Sequence, residues 1–193
     1  MNKYSKIAGV DEVGRGPLAG PVLAAAVVLK PEHSILSLDD SKKLSEKKRE
    51  ALLEQIKESA LCFAYGSASP TEIDELNIFQ ASLLAMRRAV GALAQAPEHL
   101  LIDGCHQIQG VPVGQQAIIG GDGKSQSIAA ASVLAKVERD TLMDKYAEEF
   151  SQYGFDAHAG YPTAAHLDAL QKYGPSPIHR RSFGPVKKVL ARG

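Results

Sequence analysis

Two short apolar runs rich in β-forming residues, Lys6–Val13 and Pro21–Leu29, open the chain, separated only by the glycine- and proline-rich stretch Gly14–Gly20. Runs of this length bounded by such punctuation read as strands. Beyond them, helical and strand-like patterns alternate. Ser45 can cap a helix from Glu46 to about Ala60, with Leu52, Leu53 and Ile56 on its apolar side. Leu61–Ser67 returns to strand character, and Ser69, Pro70 and Glu72 supply a capping serine, a first-turn proline and a capping-box glutamate. Leu83, Leu84, Met86, Val90 and Leu93 keep helical spacing from about Phe79 to Ala94. Leu100–Asp103 and Ala117–Gly120 are compact strands, Ser127–Phe150 is Ala-rich and helical, and Thr163 can start a helix to Tyr173. The tail holds Pro175, Pro177 and Pro185. This order predicts an α/β sheet covered by helices, with the tail from about Gly154 forming a small helical appendage that closes over one sheet edge.

Composition narrows the setting. At 193 residues the chain is long enough for one ample core, and it contains no repeat, low-complexity tract or linker. The organisation expected is 1–153 with 154–193 packed on it, or a single unit 1–193. No apolar run reaches the roughly 18 residues of a membrane span, and the first residues lack the pattern of a secretory leader. Cys62 and Cys105 make no disulfide framework. A cytoplasmic protein without a membrane segment is expected.

The formal net charge is zero, which argues against a surface coated in basic residues for bulk nucleic-acid binding. The distribution is uneven, however. No acid follows Asp168, while Lys172, Arg180, Arg181, Lys187, Lys188 and Arg192 accumulate, and a second cluster holds Lys42, Lys43, Lys47, Lys48 and Arg49. Each cluster alone reads as a solvated face; two of them flanking a carboxylate site suit a polyanion.

Three strand-like segments deliver acids at or near their C-terminal ends: Asp11 and Glu12, then Asp103, then Asp122. Ligand sites in open α/β sheets lie where strand ends meet their loops. Acids gathered there repel one another unless a cation intervenes. All-oxygen ligands suit Mg²⁺ or Mn²⁺ rather than zinc, and Cys105-His106 has no partner at metal-finger spacing. Successive strand residues face opposite sides, so Asp11 and Glu12 can share a site only if the strand ends or bulges near Gly14-Arg15-Gly16. Gly121–Ser125 ends like a phosphate-binding loop, but Ile118 stands where that motif requires glycine, so a nucleotide triphosphatase is excluded.

The stretch Gly9–Val22 resembles ribonuclease HII. The likeness continues through Asp40–Ser45, Ile73–Asn77, Leu101–Gly104, Gly121-Asp122, Ser127–Asp140, His158–Thr163 and His179–Phe183, in order and over nearly the whole chain. The resemblance implies a ribonuclease H-like mixed sheet of about five strands flanked by helices. It also implies a two-metal site on Asp11, Glu12, Asp103 and Asp122 that hydrolyses RNA in RNA/DNA hybrids. A further implied substrate is a single ribonucleotide in duplex DNA, cut on its 5′ side to leave 3′-hydroxyl and 5′-phosphate ends.

By the same likeness, Gly14-Arg15-Gly16 corresponds to a ribonucleotide-sensing loop, whose glycines allow close backbone approach to a 2′-hydroxyl. Tyr161 corresponds to a ring packing on the following deoxyribose. Lys42, Lys43 and Lys136 are candidate phosphate contacts, with an ordinary helix lysine as the alternative for Lys136. Arg180 and Arg181 are candidate duplex-backbone contacts, with surface solvation as their alternative. Ser132 reads as helix packing. The sister family ribonuclease HIII has a different glycine-rich loop and an extra N-terminal domain, for which the position of Asp11 leaves little room. A monomer is the working expectation. Two other functions compete: a binding protein of the same fold without turnover, and a magnesium-dependent phosphatase, which would have no use for the loop, Tyr161 or a basic tail.

Overall fold

The computed structural model describes residues 5–32, 35 and 46–192. Lys42 and Lys43 lie outside the described residues. The strands are β1 (Ile7–Val13), β2 (Val22–Leu29), β3 (Ala60–Ala68), β4 (His99–Asp103) and β5 (Gly114–Ile118). The helices are α1 (Glu46–Ser59), α2 (Pro70–Leu76), α3 (Ile78–Gly91), α4 (Gln126–Glu149), α5 (Phe155–His158), α6 (Ala164–Tyr173) and α7 (Gly184–Leu190). The five strands form one mixed sheet in the order β3-β2-β1-β4-β5. β1, β2 and β3 pair antiparallel, whereas β4 runs parallel to both β1 and β5. The expected mixed five-stranded α/β architecture is therefore the one observed.

Strand alternation divides the core in two. Ala8, Val10, Ala24 and Ala26 face Ala81, Ala85, Met86 and Ala89 of α3. Leu23, Ala25 and Val27 face the opposite way, onto α1 and the Ala129–Ala135 run of α4. Small residues let α4 approach β1 closely: a Cβ on Gly9 would stand 2.0 Å from the Ser127 backbone. Only glycine fits there. This contact seats the N-terminal half of α4 directly behind the acids of β1.

The capping box before α2 forms as read: the Glu72 N–H donates to Ser69 Oγ at 3.2 Å, and the Ser69 N–H donates to Glu72 Oε2 at 2.9 Å. Replacing Ser69 by Ala should cost about 1 kcal/mol, visible as a drop of roughly 2–4 °C in a thermal melt, with activity per folded molecule unchanged. Two elements differ from expectation. β5 begins at Gly114 because Gln115, polar and loop-like in sequence, spends its side chain on Ile108 and Val111. α7 forms in the proline-bearing tail because Pro185 sits in its first turn, where no N–H is needed. Among the described residues, no helix is long and apolar enough to cross a membrane.

Candidate active site

The parallel pairing of β1 with β4 ends at Val10↔Ile102, one position before Asp11 and Asp103. Asp11 and Asp103 therefore sit side by side just past the last residues that these two strands pair with each other, while each stays paired on its other side, to Ala25 and Ile118. Of the two expected irregularities, a bulge is absent and a strand end is present, β1 stopping at Val13 just before Gly14. β1 stays in register with β2 through Asp11↔Ala25, Glu12↔Ala24 and Val13↔Leu23. Asp11 and Glu12 accordingly point to opposite faces of the sheet, yet their charges act on each other directly, and Asp103 acts on both.

Asp11 faces α4 and is 2% exposed. The Ser132 hydroxyl donates to it, as does the Glu12 N–H at 2.8 Å. Burial raises its pKa well above the ordinary carboxylate range, the charges of Glu12 and Asp103 add to the rise, and the Ser132 hydrogen bond opposes it. Glu12 faces the α3 side, where a cleft of about 150 Å³ is lined by Arg15, Phe79, Ser82, Asp103 and His106 among others. Its pKa is also raised, chiefly by burial; Arg15 pulls it down while Asp103 pushes it up. Arg15 Nη1 stands 3.4 Å from Glu12 Oε1, on a side chain half exposed to solvent.

Asp103 reaches the fourth acid through the backbone. Its Oδ1 accepts from the Gly121 N–H at 2.7 Å, which ties the end of β4 to the 3₁₀ turn Gly121–Gly123 bearing Asp122. Asp122 accepts from the Gly123 N–H at 3.1 Å. Among the described residues, no three His, Cys, Asp or Glu side chains stand together as a ready-made metal cage. The donor set is nevertheless all carboxylate, and at Asp11 and Glu12 burial opposes the charged form.

Next to the acids, Gly14–Gly16 is held from beneath. Arg180 donates from Nε to the Gly20 carbonyl at 2.9 Å, from Nη1 to the Arg15 carbonyl at 3.0 Å and from Nη2 to the Gly14 carbonyl at 2.6 Å. The expected duplex contact by Arg180 is thus corrected: the residue is fully buried, and its guanidinium is occupied by the loop. Arg139, equally buried, binds the carbonyls of Ala19, Pro21 and Ala159. Gly14 has φ +89°, and a Cβ there would stand 2.3 Å from Arg139 Nε. Tyr161 is 42% exposed, and its ring lies against Gly16, where a Cβ would stand 3.3 Å from Cε1.

The remaining candidates are less convergent. Lys136 pairs with Asp140 one turn along α4 at 2.6 Å and stays partly exposed. Arg181 is exposed, while its backbone N–H and that of Ser182 donate to the Asp74 carboxylate. Sequence reasoning missed Ser132 as a partner of Asp11 and the two buried arginines as loop supports. A lone serine inside the Ala-rich run facing β1 was the available signal for the first. Nothing in one sequence marks an arginine as buried.

Acids ending adjacent parallel strands of a mixed five-stranded sheet, beside a glycine loop and an exposed tyrosine, define a nuclease of ribonuclease H-like fold. The family model for ribonuclease HII matches residues 8–186. Ribonuclease HII of Bacillus licheniformis is 59% identical over 184 residues, covering 95% of this chain and 71% of that protein. Ribonuclease HII of Marinomonas sp. is 54% identical over 184 residues, covering 95% and 92%. The crystal structure of ribonuclease H2 from Pyrococcus horikoshii superposes with a TM-score of 0.82 at 26% identity, covering 97% of this chain and 98% of that one. The chain belongs to the ribonuclease HII family. It is a ribonuclease H, an endonuclease acting on nucleic acid.

Proposed function

We propose that the enzyme hydrolyses the RNA strand of RNA/DNA hybrids and cuts duplex DNA on the 5′ side of a single embedded ribonucleotide, using divalent cations held by Asp11, Glu12, Asp103 and Asp122. Bound there, Mg²⁺ or Mn²⁺ would offset the carboxylates' repulsion and act as a Lewis acid at the scissile phosphate. The donor chemistry fits such ions, which take hard oxygen ligands. Water's oxygen bonds to phosphorus as the bond to the 3′ oxygen breaks, leaving 3′-hydroxyl and 5′-phosphate ends.

The observation that carries this reading is the packing of the Tyr161 ring on Gly16, beside the carboxylates. Glycines at 14 and 16 let backbone polar groups come close to a ribose 2′-hydroxyl. An aromatic ring over the next sugar leaves little space for a second hydroxyl, so an RNA-to-DNA junction is preferred. Arg15, half exposed and paired with Glu12, can add charge towards a phosphate. Residues 154–193 act in this reading as a clasp: Leu18 N–H donates to the Gly160 carbonyl and Arg180 N–H to the Leu18 carbonyl, both at 2.8 Å.

The decisive assay uses duplex DNA bearing one ribonucleotide, with and without Mn²⁺ or Mg²⁺, and maps the product ends. Metal-dependent cleavage 5′ of the ribonucleotide is expected. Binding without cutting would instead favour a non-catalytic protein, and indifference to the duplex a small-ester phosphatase. Tyr161→Ala should slow this substrate by roughly ten- to a hundredfold while slowing a uniform hybrid less; equal slowing would remove the role given to the ring.

A further inference from the structure

The backbone that presents Tyr161 is strained, and a buried chain of imidazoles meets it from within. Ala159 has φ 46° and Gly160 φ 81°; a residue that carries a Cβ, as Ala159 does, is disfavoured in this region. Each carbonyl from 159 to 161 is captured. That of Ala159 accepts from Arg139 at 3.0 Å and that of Gly160 from the Leu18 N–H at 2.8 Å. The Tyr161 carbonyl accepts from the Thr163 N–H and lies 2.8 Å from His166 Nδ1. His166 Nε2 in turn stands 3.0 Å from His179 Nε2, and both residues are essentially buried.

The direction of this chain follows from its far end. Ser176 N–H donates to His179 Nδ1 at 3.0 Å, so that nitrogen carries no proton. The His179 proton is then on Nε2, aimed at His166 Nε2. That nitrogen must be the acceptor, which puts the His166 proton on Nδ1, aimed at the Tyr161 carbonyl. Both rings are neutral at physiological pH, because burial lowers the pKa of His166 and pulls that of His179 down to about 4. His158 stacks on His166 with centroids 4.6 Å apart and accepts from the Gly160 N–H at 3.2 Å, bracing the same turn.

We propose that His166 and His179 are positioning residues for substrate discrimination: their one-way relay from Ser176 fixes the Tyr161 carbonyl and thereby holds the Tyr161 ring over Gly16. The inference rests on the reading of Tyr161 as the junction-sensing ring. Leucine at 166 removes the donor to the carbonyl, whereas asparagine can place an amide N–H near the lost Nδ1.

The test measures cleavage of the one-ribonucleotide duplex relative to a uniform RNA/DNA hybrid, on folded protein matched by circular dichroism. His166→Leu should lower that ratio about tenfold, His166→Asn should recover most of it, and Tyr161→Ala/His166→Leu should be no worse than Tyr161→Ala alone. ¹⁵N imidazole shifts of the unmodified protein should report the Nδ1–H tautomer for His166 and Nε2–H for His179, a readout that needs no variant to fold. A ratio left intact by His166→Leu, additive losses in the double variant, or Nε2–H on both rings would overturn the relay. If Tyr161→Ala itself leaves the ratio unchanged, the junction reading fails first and takes the relay with it.

Discussion

Asp11→Asn should abolish cleavage, by about a thousandfold or more, or roughly 4 kcal/mol of transition-state stabilisation, while making the metal-free protein more stable at neutral pH. The shape is conserved, and the asparagine carbonyl can still accept from the Ser132 hydroxyl and the Glu12 N–H. The difference lies in charge. Burial, Glu12 and Asp103 raise the pKa of Asp11, so the folded chain holds its proton more tightly than the unfolded chain does. Stability from this group therefore falls as pH rises above the unfolded value of about 4 and on through the folded one. Asparagine has no such proton to lose. Without metal, the variant should melt a few degrees higher than the parent at pH 7.5, and the gap should close near pH 4. Mn²⁺ should stabilise the parent more as pH rises, because binding expels the carboxyl protons, and should do little for the variant. Differential scanning calorimetry in chelator and in Mn²⁺, beside cleavage rates, checks all of this. A variant that cuts normally, or melts below the parent in chelator, would contradict the site.

The second large effect is expected at Arg180. Arg180→Met strips hydrogen bonds from three carbonyls, the buried ones of Gly14 and Gly20 and the partly buried one of Arg15. Orphaned backbone acceptors cost about 1–3 kcal/mol each when nothing replaces the donor. Water admitted to the vacated polar space recovers part of that. A net loss of roughly 3 kcal/mol is expected, or about 6–12 °C in melting temperature for a chain of this size. The surviving folded protein should lose discrimination, because the loop no longer has a fixed backbone. Arg180→Lys separates charge from geometry: an ammonium keeps the charge but cannot span three carbonyls as the guanidinium fork does. It should recover part of the stability and little of the discrimination. A melting temperature within about 2 °C of the parent for Arg180→Met would sink the account.

The contrast between Asp103 and Arg180 shows where the sequence was readable. Asp103 directly follows the apolar run Leu100–Ile102, so its place at a strand end is legible locally, as is the capping box at Ser69 and Glu72. Arg180 stands in a basic tail and reads as surface. Its burial depends on residues 160, 165 and 166 positions away offering three carbonyls, a coincidence no local pattern records. Glu12 illustrates a subtler limit. The alternation rule correctly put it on the face opposite Asp11, and of the two expected remedies the strand end is the one observed: β1 stops at Val13 without a bulge. What brings Asp103 to both is where β1 and β4 stop pairing, a matter of register between distant strands.

What the chain determined locally was the set of strands and helices, the acids at strand ends and the glycine loop, because periodicity, capping and turn chemistry act over a few residues. Only the tertiary structure decided that the charge of Asp103 acts on both Asp11 and Glu12. The same holds for the two arginines that serve the loop and for the imidazoles that line up behind Tyr161. Burial, charge coupling and proton placement depend on neighbours far away in sequence, and those exist only once the sheet and its covering helices have closed.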